Sequence, residues 1–139
     1  TGWYTPGLEP VAFQAEGFGF GLTICIEMQF PELFAEYERL GVDCVLHATY
    51  GLGSMGDVIL RAHAATNCLW VAVATPANAD QPTSGIIAPD GNWLARCGRG
   101  IDMAVAELDR SSPDLDIALN KARPWRRLTR QGIIYRDAD

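Results

Sequence analysis

Three short apolar runs alternate with two stretches of helical spacing, and that order restricts the chain more than any other feature. Residues 20–26, 42–46 and 69–74 each read as a buried strand. Between the first two, Pro31 sits where the first turn of a helix tolerates proline. Leu33, Phe34, Tyr37 and Leu40 then recur at helical spacing, and Gly41 supplies a stop. Between the second and third, residues 55–67 carry Val58, Ile59, Ala62 and Ala65 on an amphipathic helix. Strand, helix, strand, helix, strand predicts an α/β sheet with right-handed crossovers.

The flanks read differently. A turn at Thr5-Pro6-Gly7 leads into a short strand at 11–15 and a Gly17, Gly19, Gly21 series. Residues 84–88 and 93–97 form a hairpin about the Asp90-Gly91 turn signal. Residues 101–108 alternate in part and predict one more strand, after which the pattern fades into a short helix and an irregular basic arm over 110–139. The two helices cover one sheet face, whereas continuous apolar strands need both faces covered. Another part of a longer chain, or another subunit, is expected on the open face. The chain starts at Thr1, so a preceding segment is expected too.

Composition narrows the class. At 139 residues the length suits one domain, and 48% hydrophobic residues exclude a disordered chain. Neither an apolar run long enough for a membrane span nor a signal peptide is visible. Charge is uneven beneath the net −6: residues 121–136 hold six basic groups and no acidic one. Docking of this arm on an acidic surface of its own or a neighbouring subunit is favoured over nucleic-acid binding, because the body is strongly acidic. Cys25, Cys44, Cys68 and Cys97 form no CxxC pair and stand at no metal-ligand spacing to His47 or His63, so no metal is expected. No cofactor is implied, and a reducing cytoplasm fits the free thiols.

Ligands of open α/β sheets bind beyond the carboxyl ends of strands. Three such ends are readable: Cys25-Ile26-Glu27, His47-Ala48-Thr49-Tyr50 and Thr75-Pro76-Ala77-Asn78. Cys25 stands where a buried strand turns into the helix that Pro31 begins. A cysteine there is either a core residue or an exposed nucleophile whose following N–H, that of Ile26, is available to an oxyanion.

The segment from Gly21 to Leu33, Gly-Leu-Thr-Ile-Cys-Ile-Glu-Met-Gln-Phe-Pro-Glu-Leu, resembles the nucleophile motif of the carbon–nitrogen hydrolase (nitrilase) superfamily. Gly41-Val42-Asp43, Leu60-Arg61-Ala62-His63-Ala64, the hairpin from Ser84 to Gly91, and Ala106-Glu107-Leu108-Asp109 are similar to further family motifs in the same order. Thr5-Pro6-Gly7 matches the usual lead-in. The resemblance implies half of a four-layer α-β-β-α sandwich: a mixed sheet with two helices on one face, the carboxyl-terminal part of a single hydrolase domain. It implies Cys25 as nucleophile, an amide or nitrile substrate, and a homo-oligomer.

The family also uses a Glu base and a Lys, both upstream of the cysteine. Here 24 residues precede Cys25, and the single lysine is Lys121. The base and lysine are therefore expected from residues outside this chain, and the 139 residues alone are expected to be inactive. Glu27, His47, Tyr50 and Asn78 are candidate pocket residues, while His63 is expected to be structural and Trp70 core. Glu32 and Arg61 are expected to pair and orient the elbow helix. The alternative is a non-catalytic half-domain serving interaction or dimerisation.

Overall fold

The computed structural model describes residues 7–78 and 83–132, together with Gly2 and Arg136. Six strands form one sheet: β1 (Ala12–Ala15), β2 (Phe18–Ile24), β3 (Cys44–Ala48), β4 (Trp70–Ala74), β5 (Gly85–Ile87) and β6 (Trp93–Arg96). They lie in sequence order across the sheet. β2, β3 and β4 run parallel, and the outer pairings are antiparallel. Helices α1 (Pro31–Arg39) and α2 (Gly53–Asn67) make the two crossovers. Successive crossovers of one hand between successive neighbours put both helices on the same face. The predicted turn at Thr5-Pro6-Gly7 lies, apart from Gly7, outside the described residues.

The pleat divides the side chains. Val45, Val71, Val73 and Ile87 face the helices and pack with Phe34, Tyr37, Leu60 and Ala64 in the main core. Close approach of α1 is possible because β2 carries glycine there. A Cβ on Gly21 would lie 2.6 Å from the Tyr37 ring, and one on Gly19 would lie 2.9 Å from the Gly41 carbonyl. The Tyr37 hydroxyl then donates to the Leu22 carbonyl, tying helix to strand.

The opposite face is apolar as well. Phe20, Leu22 and Ile24 align with Cys44, Leu46 and Ala48 of β3, and these with Trp70, Ala72 and Ala74 of β4. Its lower row is covered by the chain itself: Leu115 and Leu119 pack on Cys44, Trp70 and Ala88, so Trp70 is core as expected. The upper row is bare, with Leu22 and Ile24 exposed. Ile24, read from sequence as part of a buried strand, therefore belongs to an open face among the described residues.

Two expectations are corrected. Residues 101–108 pair with no strand among those described. Their alternation is real, since Ala104, Ala106 and Leu108 are half-buried and Met103 and Val105 exposed, but alternation only extends a segment and a ladder also needs an edge. The basic arm is also not irregular throughout. A 3-10 turn (Pro113–Leu115) and a π-helical stretch (Ile117–Ala122) run into α3 (Arg123–Arg130).

Docking of the arm on the chain's own acidic residues is as expected. Arg127 and Arg130 bind the buried Glu38, while Arg110 and Arg123 bind the buried Asp43. Arg126 donates to the Ala65 carbonyl and Arg127 to that of Glu38, so cations sit at the carboxyl-terminal turns of α2 and α1. The arm thus lies at the end of the sheet opposite Cys25.

Candidate nucleophile elbow

β2 ends at Ile24, and the chain turns at once into a 3-10 helix over Cys25–Gln29 before Pro31 starts α1. The turn is made at Cys25, whose φ of +51° lies in the left-handed region that non-glycine residues avoid. Such a conformation persists only where its surroundings over-determine it. Four contacts do so. Glu27 Oε2 accepts the Ile24 N–H at 2.6 Å. His63 Nε2 lies 2.9 Å from the Met28 carbonyl, its ring stacked on Phe34 with centroids 4.0 Å apart. Tyr37 holds the Leu22 carbonyl, and Thr23 Oγ1 lies 2.9 Å from His47 Nδ1.

The four cysteines differ in chemistry. Cys25 is exposed at the carboxyl end of a central strand. Cys44 is buried, and burial pushes its thiol up to about 12, which keeps it protonated. Burial also raises the Cys68 thiol, against the lowering effect of the neighbouring Arg126 guanidinium. Ile26, next after the cysteine, is exposed, and its N–H stands among the first-turn donors that a helical turn leaves unpaired.

Because β2, β3 and β4 are parallel neighbours, their carboxyl ends fall on one edge. That edge gathers Cys25, Ile26 and Glu27 with Tyr50 after β3 and Asn78 after β4, the last two exposed. Glu27 braces the turn. His47 borders the bare sheet face, but its side chain is on the helix-covered side, 1% exposed. Burial keeps its imidazole below the usual range, against the raising effect of the Glu27 charge. An open concavity of about 340 Å³ on the bare face is lined by Leu22, Ile24, Leu46, Ala48, Ala72 and Ala74. Its aliphatic walls suit packing rather than recognition of a polar group.

The Glu32–Arg61 pair does not form. Glu32 is exposed, and Arg61 Nε donates to the Gly91 carbonyl at 2.7 Å, anchoring α2 to the hairpin turn. Residues two apart on a helix point about 200° away from each other. His63, rather than Arg61, therefore faces α1 and braces the elbow. Thr23, Tyr37 and His63 were not singled out as parts of the elbow by sequence reading. The one signal pointing to Tyr37 is the glycine series on β2, which makes room for its ring. Among the described residues no group of three His, Cys, Asp or Glu side chains is arranged to hold a metal, and no helix is long and apolar enough to cross a membrane.

Comparison with known proteins bears on this geometry. The family model described as carbon-nitrogen hydrolase matches residues 4–114. A human protein named deaminated glutathione amidase is 32% identical over 116 residues, covering 75% of this chain and 35% of its own length. The omega-amidase of Saccharomyces cerevisiae is 27% identical over 137 residues, covering 91% of this chain and 45% of its own. The crystal structure of Saccharomyces cerevisiae Nit3, a nitrilase-superfamily member, superposes with a TM-score of 0.72 at 25% identity, over 92% of this chain and 49% of that one. An amidase from Nesterenkonia, solved with the acetamide moiety of fluoroacetamide added covalently at its active-site cysteine, gives 0.67 at 26% identity, over 92% and 49%. The chain thus spans no more than half the length of these relatives.

Proposed function

The chain belongs to the carbon–nitrogen hydrolase family, and from that premise we propose that it carries the nucleophile of an enzyme hydrolysing non-peptide carbon–nitrogen bonds in small amides. One observation carries this reading: Cys25 is an exposed thiol held in a left-handed turn at the carboxyl end of β2. The relatives named amidases favour an amide over a nitrile, and the covalent adduct at the Nesterenkonia amidase's active-site cysteine supports a nucleophilic cysteine in that protein.

In the proposed reaction the Cys25 thiolate attacks the carbonyl carbon and forms the C–S bond. The carbonyl oxygen takes the displaced electron pair and is held by the Ile26 N–H. Collapse restores the carbonyl and breaks the C–N bond, and ammonia or an amine leaves with a proton. Water then adds to the thioester, the C–S bond breaks, and the acid departs as the thiol is restored. Tyr50 and Asn78, on the same edge, are proposed to border the substrate.

A general base and a cation at the oxyanion are also required. We assign them to a Glu and a Lys in polypeptide beyond residues 1–139, seated over the bare row of Leu22 and Ile24. The assembled protein is proposed to be a homo-oligomer. The four free cysteines of residues 1–139 fit a reducing compartment such as the cytoplasm.

The test is Cys25→Ala in the full-length protein. Amide turnover should fall to background with an unchanged circular dichroism spectrum, and retained turnover would overturn the mechanism. Residues 1–139 by themselves should hydrolyse no amide measurably. Loss of one oxyanion donor removes about 10²–10³ in rate, and loss of the base about 10²–10⁴ more.

A further inference from the structure

Beneath the elbow lies a polar pair that the proposed reaction does not use. Thr23 and His47 stand opposite each other on β2 and β3, two residues before Cys25, and each is 1% exposed. Thr23 Oγ1 meets His47 Nδ1 at 2.9 Å, while His47 Nε2 is buried with no hydrogen-bond partner. A buried polar atom left unpaired is unfavourable, so its retention calls for a partner. The charge acting on the ring is that of Glu27. Glu27 Oε2 already holds the Ile24 N–H, while Oε1 takes no hydrogen bond among the described residues.

We propose that Thr23, His47 and Glu27 form a positioning relay for the Cys25 elbow, closed when His47 Nε2–H donates to Glu27 Oε1. In this relay the Thr23 hydroxyl donates to Nδ1 and the single proton of the neutral ring sits on Nε2, facing an acceptor-only carboxylate. The relay pins Glu27 to the Ile24 N–H and so maintains the left-handed turn at Cys25. A Glu27 released from that bond no longer holds the turn that presents the Cys25 thiol. His47 is a positioning residue that touches no substrate. The inference deepens the function proposed above, because it rests on Cys25 being the nucleophile.

Two substitutions at His47 separate a relay from a simple clip between strands. Asn retains a partner for Thr23 and loses the atom at Nε2; Gln extends an amide toward the Nε2 position. In the full-length protein, His47→Asn should slow iodoacetamide alkylation of Cys25 about tenfold relative to Cys97 in the same molecule, at neutral pH. The Ile24 amide proton, shifted downfield by its short bond to Glu27, should move upfield in the NMR spectrum. His47→Gln should restore most of both. A wild-type alkylation rate and Ile24 shift in His47→Asn, or a greater defect in His47→Gln, would overturn the relay. If neither variant folds by circular dichroism, Thr23→Val against Thr23→Ser decides: slow alkylation in the first alone supports the relay, and equal rates refute it. Turnover retained by Cys25→Ala would instead remove the function proposed above and leave the Ile24 signature in place, so the two failures are distinguishable.

Discussion

Glu38 Oε1, on a residue 3% exposed near the end of α1, accepts a hydrogen bond from Arg127 Nε at 2.9 Å across 89 residues of sequence. Arg130 reaches the other carboxylate oxygen at 3.2 Å. The two arginines neutralise a carboxylate that burial would otherwise disfavour. They also tie the basic arm to the body at the sheet end remote from Cys25.

Glu38→Gln should therefore destabilise the fold. Breaking a buried pair by removing one partner is worth about 3–5 kcal/mol. The side chains of Arg127 and Arg130 are 46% and 37% exposed, and solvent screening brings the expectation down to roughly 2 kcal/mol. Urea denaturation followed by far-ultraviolet circular dichroism measures this, and a midpoint within error of wild type would show the Glu38 ion pairs to be energetically idle.

Asp43 predicts an acid dependence. Burial raises its carboxyl, but hydrogen bonds from Arg110, the Gly19 N–H and Arg123 outweigh that and hold it below the ordinary 3.8. A depressed folded-state value stabilises the fold above the unfolded value, and that stability is lost as pH falls through the folded one. Between about pH 5 and pH 2 the wild type should lose stability more steeply than Asp43→Asn. Parallel slopes across that window would rule Asp43 out as a source.

Gly21→Ala tests the seat of the elbow. The new Cβ would meet the Tyr37 ring at 2.6 Å, and that ring is held by its own hydroxyl bond to Leu22. Overpacking of this kind destabilises by about 1–3 kcal/mol. Thermal unfolding of the variant should show a lowered midpoint. Recovery in Gly21→Ala/Tyr37→Phe, where the ring is freed from Leu22, would identify the hydroxyl bond as what prevents relaxation.

The thiols should react in a fixed order. Iodoacetamide at pH 8 should modify Cys25 in the native protein and leave Cys44 untouched until unfolding, since burial both excludes the reagent and raises the Cys44 thiol to about 12. Peptide mass mapping reads this directly. Early modification of Cys44 would mean that its side of the sheet opens in solution.

The sequence by itself determined what acts over a few residues. Apolar runs located β2, β3 and β4 to within about two residues, Pro31 and Gly41 bounded α1, and Asp90-Gly91 located the hairpin. The place of Cys25 between strand and helix was legible for the same reason. Tertiary structure decided what acts between elements. A left-handed φ at Cys25 opposes local preference, and it exists because Glu27, Tyr37, His63 and the Thr23–His47 pair converge on the turn. Periodicity marked a helix at 55–67 but put its apolar face at Val58, Ile59, Ala62 and Ala65. Val58 and Ala62 are in fact exposed and Leu60, His63 and Ala64 buried, so His63 rather than Arg61 became the brace. Residues 101–108 had the pattern of a strand without a ladder partner. The basic arm had a composition without an address until folding brought Glu38 and Asp43 beneath its arginines. Side-chain periodicity is fixed by the geometry of one helix or strand, whereas hydrogen bonds and ion pairs depend on where two elements come to rest.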